Sequence, residues 1–191
     1  MARPTVAEIH LPALRHNLRT IRSLLPPSTA VFAVVKADAY GHGAVPVART
    51  LRDEGVRAFG VATVEEGVEL RRAGIPDPIV VLGGVDEPQA EEAHENGLSA
   101  ALFDLGQVPY LSRVAERSGR PFPVHIKIDT GMGRLGILRR FTAAAVEAIA
   151  SGKALRVDGV MTHLSCADGC TDGDREYTRM QLDSFREEVP R

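Results

Sequence analysis

The stretch Pro123–Gly136, PVHIKIDTGMGRLG, places three ionisable residues in what is otherwise an apolar strand. Successive side chains of a strand point to opposite faces, so His125, Lys127 and Asp129 are expected to share one face. On a solvated sheet edge these groups would need no partners. Inside a closed barrel they would form a charged interior, which requires pairing and usually marks function. The architecture of the sheet therefore decides what this stretch does.

Five further apolar or β-branched runs alternate with longer helical stretches, which predicts βα units feeding a parallel sheet. Their near-continuous hydrophobicity is typical of strands that are covered on both faces. Together with Pro123–Asp129, the predicted strands are Ala30–Ala37, Ala58–Thr63, Pro78–Leu82, Leu98–Phe103 and Val157–Leu164.

Signals for helix ends lie between these runs. The apolar spacing within Leu11–Leu25 predicts an amphipathic helix before the first strand. Thr63 and Glu66 have the spacing of a capping box, and Gly74 can end the helix that follows. Further caps are expected at Asp86, Asp104, Gly97 and Gly152.

Right-handed crossovers allow either an open doubly wound sheet or a barrel. A (β/α)8 TIM barrel typically needs about 250 residues, whereas this chain has 191. Lys36 on the first strand, Arg134 after the fifth and His163 on the sixth would meet at one mouth only if the sheet curls closed. We therefore predict an α/β fold, a TIM barrel truncated after about six βα units.

Composition excludes several classes of function. A net charge of −2 and a pI near 6.3 give no overall surplus of cations for nucleic acid. Neither a membrane span nor an export signal is visible in the sequence, so we expect a cytoplasmic protein without a membrane partner. Cys166 and Cys170 follow His163 at a spacing that matches no usual zinc pattern, so no metal is predicted.

Lys36 lies inside an apolar run. A desolvated lysine has a lowered pKa and can attack a carbonyl to form a Schiff base. The alternative is a lysine whose ammonium reaches water at the strand end. The later run Gly131–Gly136 satisfies the pattern G-x-G-x-x-G, but it falls in the fifth unit and follows a charged strand, so it is a weak indication of dinucleotide binding.

Two blocks of the sequence resemble the alanine racemase family, namely Ala33–Gly43 (AVVKADAYGHG) and His125–Gly136 (HIKIDTGMGRLG). Ala7–Leu11 and Thr162–Leu164 also fit, and the likeness covers essentially all 191 residues. His10 is one departure, since the family usually has an acid there. The resemblance implies a barrel enzyme that uses pyridoxal 5'-phosphate to interconvert L-alanine and D-alanine for peptidoglycan.

The resemblance also implies a role for each of five residues. Lys36 would hold pyridoxal phosphate covalently and serve as one of two bases. Tyr40 would contact the phosphate and Arg134 the phenolic oxygen, while His163 would join a hydrogen-bond chain to the second base. Lys127 corresponds to a position that is carbamylated in many members, where it orients the arginine.

The resemblance further implies parts that residues 1–191 do not contain. The family's second base is a tyrosine from a C-terminal β domain of the partner subunit, and an arginine on the seventh strand faces the pyridine nitrogen. We therefore interpret the chain as the N-terminal portion of a pyridoxal-phosphate-binding barrel whose full-length enzyme is a homodimer. Two alternatives are a pyridoxal-phosphate homeostasis protein without racemase activity and an inactive, poorly soluble fragment.

Overall fold

A computed structural model describes residues 5–188 of the chain. Its strands are all parallel, and the main sheet has the order β1-β2-β3-β4-β5-β7. A short strand, β6, pairs with the end of β5. The strands are β1 (Ala33–Val34), β2 (Phe59–Val61), β3 (Ile79–Val81), β4 (Ser99–Leu102), β5 (Phe122–Asp129), β6 (Ile137–Leu138) and β7 (Leu155–Met161).

One helix precedes the first strand, and the others alternate with the strands of the main sheet. They are α1 (Leu11–Ser23), α2 (Lys36–Gly41), α3 (Ala44–Asp53), α4 (Val64–Arg72), α5 (Ala90–Glu95), α6 (Gln107–Ser118), α7 (Thr142–Ala150) and α8 (Asp172–Glu188). Short 3-10 turns at Glu87–Gln89 and Arg139–Phe141 precede α5 and α7. None of these helices, within residues 5–188, is long and apolar enough to cross a membrane.

The core lies on both sides of the sheet. Every residue of β2, β3 and β4 is buried, as expected for parallel strands covered on both faces. Phe59, Ile79, Leu102 and Phe122 are completely inaccessible to solvent. This burial confirms the prediction of a parallel α/β fold with about six βα units. In the described part of the chain, β1 pairs only with β2, and β7 only with β5, so both remain sheet edges.

Two predicted strand boundaries are wrong. Ala30–Ala37 contributes only Ala33–Val34, because the chain leaves the sheet before Lys36 and enters a tight turn. The last main strand ends at Met161, so His163 lies two residues beyond it. β6 was not predicted, since its two residues follow a glycine-rich loop and have no alternating pattern of their own.

The helix caps are a mixture of confirmed and incorrect predictions. Thr63 and Glu66 form the capping box of α4, and Gly74 follows that helix with φ +84°. Gly97 likewise has positive φ after α5. The other predicted caps fail. Neither Asp86 nor Asp104 makes a side-chain cap, although the Asp104 carboxylate accepts from the Gly106 amide before α6. Gly152 follows α7 without the positive φ of a glycine cap, and the predicted amphipathic helix α1 forms but ends before Leu25.

Candidate active site

A cavity of about 560 Å³ opens at the carboxyl ends of the strands. Apolar walls come mainly from Phe32, Leu82 and Val160. This position is the one at which parallel α/β proteins generally bind ligands, and the volume is that of a small-molecule site. The five residues predicted for the site all line it: Lys36, Tyr40, Lys127, Arg134 and His163.

Lys36 begins α2, a turn whose backbone is left-handed. The four residues after it, Ala37–Tyr40, have φ between 51° and 55° and ψ between 39° and 52°. Left-handed helical geometry costs about 1 to 2 kcal/mol for each non-glycine residue. The turn therefore carries a cost of about 4 to 8 kcal/mol, which the surrounding contacts must offset.

Hydrogen bonds from backbone amides to two carboxylates hold this turn. The Ala37 amide donates to Glu66 Oε1 at 2.7 Å, and the Ala44 amide donates to Asp38 Oδ1 at 2.6 Å. Gly43, with φ +85°, then donates its amide to the Asp38 carbonyl at 2.9 Å as α3 begins. The turn brings Lys36 Nζ to 5.9 Å from the centroid of the Tyr40 ring.

The loop after β5 places Arg134. Both oxygens of Asp129 accept from the Gly133 amide, at 3.1 and 3.0 Å, and Oδ1 also accepts from the Gly131 amide at 2.9 Å. A Cβ on Gly136 would lie 2.5 Å from the Asp129 backbone nitrogen, so only glycine allows the loop to return beside β5. These glycines lead into β6 and not into a helix, so they do not form a dinucleotide-binding turn.

The segment carrying His163 is fixed to β5 and α8. Thr162 Oγ1 lies 2.8 Å from Thr130 Oγ1, which joins the ends of β7 and β5. Gln181 of α8 has no exposed surface. Its Nε2 donates to the His163 carbonyl at 3.2 Å, and its Oε1 accepts from the Ser165 amide at 2.9 Å. One buried amide therefore holds the chain on both sides of Leu164.

The cavity is electrostatically positive. Lys127 is only 7% exposed, and burial, followed by the charges of Arg134 and Lys36, lowers its pKa, while Asp129 opposes the shift. Burial and the same neighbouring cations also lower the pKa of His163. No ion pair among residues 5–188 includes Lys36, Lys127 or Arg134. An anionic ligand would supply the missing counter-charge.

The three ionisable side chains predicted to share one face of β5 do not have the same role. His125 and Lys127 line the cavity, whereas Asp129 is occupied by the loop amides. His125 fits because its neighbour on β7 is Gly159, where a Cβ would lie 2.8 Å from the imidazole Cδ2. Burial lowers the pKa of His125, and the charge of Asp158 opposes this effect.

The two cysteines lie outside this arrangement. Both are free thiols; Cys166 is half-buried beside the Asp174 carbonyl and Cys170 is exposed. The part of the chain that the structure describes holds no group of three His, Cys, Asp or Glu side chains suited to a metal ion.

Fold and site together define a parallel α/β protein with a positively charged, amine-bearing cavity at the strand ends. The chain belongs to the family described as alanine racemase, N-terminal domain, which matches residues 9–190. That membership confirms the family that the two sequence blocks indicated and the TIM-barrel class of the fold.

Individual relatives of this chain are also alanine racemases. An alanine racemase of Geobacter sulfurreducens is 44% identical over 184 residues, covering 96% of this chain and 48% of that protein. One from Symbiobacterium thermophilum is 46% identical over 185 residues, with the same coverage. A solved alanine racemase structure from Clostridium difficile 630 superposes with a TM-score of 0.91 at 35% identity, covering 97% of this chain and 48% of that one. The chain thus spans about half the length of the curated relatives it matches.

Proposed function

We propose that this chain forms the cofactor-binding part of an alanine racemase, which interconverts L-alanine and D-alanine. The observation that carries the proposal is the convergence of Lys36, Lys127 and Arg134 in one cavity without a carboxylate paired to any of them within residues 5–188. A ligand that combines negative charge with an electrophilic carbon matches these groups, because it satisfies both the cations and the lysine amine.

Pyridoxal phosphate fits this set of side chains. Lys36 would hold its aldehyde carbon, Tyr40 its phosphate and Arg134 its phenolic oxygen, while the apolar walls receive the ring. When bound, this cofactor supplies an electron sink that stabilises negative charge developing at the substrate Cα. The protein's own share is binding, orientation and proton transfer.

Racemisation needs a proton removed from one face of Cα and returned on the other. Lys36 Nζ is the base that we assign to one face. The resemblance assigns His163 to a hydrogen-bond chain, and its lowered pKa favours a neutral imidazole that can accept a hydrogen bond. The resemblance assigns the opposite face to a tyrosine of a partner subunit, which lies outside this chain.

Lys127 is assigned a charge-balancing role. Its lowered pKa increases the fraction of neutral amine, which can attack carbon dioxide. The Lys127 ammonium first loses one proton to solvent, and the new N–C bond then gives a carbamate and releases a second proton. A cation beside Arg134 is thereby replaced by an anion that can orient the guanidinium. A carbamate signal after exposure to 13C-labelled bicarbonate, absent in Lys127→Met, is the expected result.

The chain offers a sharp test of the cofactor assignment because it contains three lysines, Lys36, Lys127 and Lys153. The protein is incubated with pyridoxal phosphate, reduced with borohydride and mapped by mass spectrometry. We expect the adduct on Lys36, its loss in Lys36→Arg, and no change in Lys153→Arg, whose position lies away from the cavity. Labelling confined to Lys127 or Lys153 contradicts the proposal.

The activity itself is tested in the complete gene product by following D-alanine formation from L-alanine with chiral chromatography. Peptidoglycan supply, a cytoplasmic location and a homodimer belong to the same proposal and rest on the resemblance. The competing function is a pyridoxal-phosphate carrier without racemase activity. The block Lys127–Gly136, which such carriers lack, favours the racemase, and a Lys36 adduct without any D-alanine would favour the carrier.

A further inference from the structure

Glu66 connects two separate parts of the backbone through its two carboxylate oxygens. Oε1 accepts from the Ala37 amide at 2.7 Å. Oε2 accepts from the Ala62 amide at 2.6 Å and, more weakly, from the Thr63 amide at 3.4 Å. One half-buried side chain therefore links the residue after Lys36 to the point where β2 ends and α4 begins.

The hydrogen bond with Ala37 lies at the start of the left-handed segment. Ala37 is the first left-handed residue, with φ 51° and ψ 52°, and it directly follows Lys36. The direction of the Lys36 side chain depends on the peptide plane that Ala37 shares with it. The hydrogen bond from the Ala37 amide orients this peptide plane, and Tyr40 lies at the far end of the same turn.

We propose that Glu66 is a positioning residue: it fixes the entry into the left-handed turn and thereby aims Lys36 and Tyr40 into the cavity. The inference rests on the proposed function only insofar as Lys36 is the amine that reacts. Glu66 then has a second role besides capping α4. Capping requires only its hydrogen bonds with the Ala62 and Thr63 amides, and the hydrogen bond with the Ala37 amide is additional.

The chemistry of the side chain explains why a glutamate stands here. A glutamine has one acceptor oxygen, so in Glu66→Gln the amide NH2 must face one of the two backbone donors. An aspartate keeps both oxygens but is one methylene shorter. Both variants can retain the nearby Ala62 contact, and both are expected to lose the contact with Ala37, which is 29 positions away in the sequence.

Two control variants separate positioning from helix stability. Glu65 lies on the same first turn of α4 but is exposed and accepts from Gln89 Nε2 at 2.6 Å, so Glu65→Gln changes the same chemistry without touching the turn. Thr63→Ala removes the hydroxyl that accepts from the Glu66 amide and weakens the cap, yet leaves the carboxylate free to hold Ala37.

The first measurement needs no cofactor. Hydrogen–deuterium exchange is followed in peptides covering residues 37–44 and α4. We expect Glu66→Gln and Glu66→Asp to speed exchange at residues 37–44 by about tenfold, the loss expected for one charged hydrogen bond. Glu65→Gln should match the wild type, and Thr63→Ala should speed exchange in α4 only.

The second measurement titrates pyridoxal phosphate and maps the reduced adduct. Weaker binding at Lys36 in both Glu66 variants, by about tenfold, with unchanged binding in both controls, supports the inference. Unchanged exchange at residues 37–44 in the Glu66 variants overturns it, as does an equal effect of Thr63→Ala. Because the exchange experiment uses no cofactor, it decides the role of Glu66 even if Lys36 forms no adduct, a result that would overturn the proposed function alone.

Discussion

Replacing Gln181 with leucine should destabilise the protein because two backbone groups near His163 lose their hydrogen bonds to the amide. Gln181 accepts from the Ser165 amide at 2.9 Å and donates to the His163 carbonyl at 3.2 Å. A buried group left without its partner costs about 1 to 3 kcal/mol. Ser165 and His163 are themselves exposed residues, so water reaches them and the lower limit applies. We expect a loss of about 2 kcal/mol for the pair.

Urea unfolding monitored by circular dichroism measures this change. The midpoint should fall while the denaturant slope stays constant, because leucine fills nearly the same volume and the folded state remains as compact. Gln89→Leu is the matched control, since its amide makes one exposed hydrogen bond to Glu65, and its effect should stay within about 0.5 kcal/mol.

The NMR titration of His163 tests whether the packing of Gln181 also affects the cavity. The imidazole of His163 should show a shifted NMR titration in Gln181→Leu, because its backbone has lost an anchor, and no shift in Gln89→Leu. Equal midpoints for the two variants, or an unaltered His163 titration, would refute the view that one buried amide of α8 sets the position of this segment.

Two other predictions concern stability. Gly136→Ala should lower the free energy of unfolding by about 2 kcal/mol or more, because Gly136 has φ +151° and an added Cβ would collide with the Asp129 backbone. Thermal denaturation measures this change, and a loss under about 0.5 kcal/mol would contradict the prediction. His94 stacks on Phe122, and burial lowers its pKa from 6.5, so the unfolded chain takes up a proton more readily. Stability should therefore fall as the pH drops below 6.5, by at most about 1.4 kcal/mol per pH unit from this residue; His94→Phe should flatten the profile, and an identical profile would exclude the effect.

The fold could be predicted from the sequence because its signals are repeated and local. Runs such as Pro78–Leu82 are apolar throughout, and such runs suit strands that are covered on both faces. The Thr63 and Glu66 pair signals a helix start through its own spacing. β6 could not be predicted, because it forms by pairing Ile137 with Ile128 of β5, and no local sequence pattern indicates that pairing.

The details of the site were harder to predict. Nothing in the composition of Ala37–Tyr40 indicates positive φ, since glycine is the usual residue there and none of the four is glycine. The sequence left open whether Lys36 is desolvated or reaches water; Lys36 is half-buried, and Lys127 is the more deeply buried of the two lysines. Gln181 gave no signal, because a single glutamine in a polar helix usually faces water.

The left-handed turn limits the composition of the segment that follows Lys36. Side chains branched at Cβ collide with the backbone when φ is positive, so valine, isoleucine and threonine are excluded from positions 37–40 by shape alone. Variation there is confined to small, Asx-type or flat side chains, whatever the substrate. Attempts to evolve a different specificity from this cavity will therefore find their freedom in the walls formed by Leu82, Leu135 and Met161, and not next to the lysine.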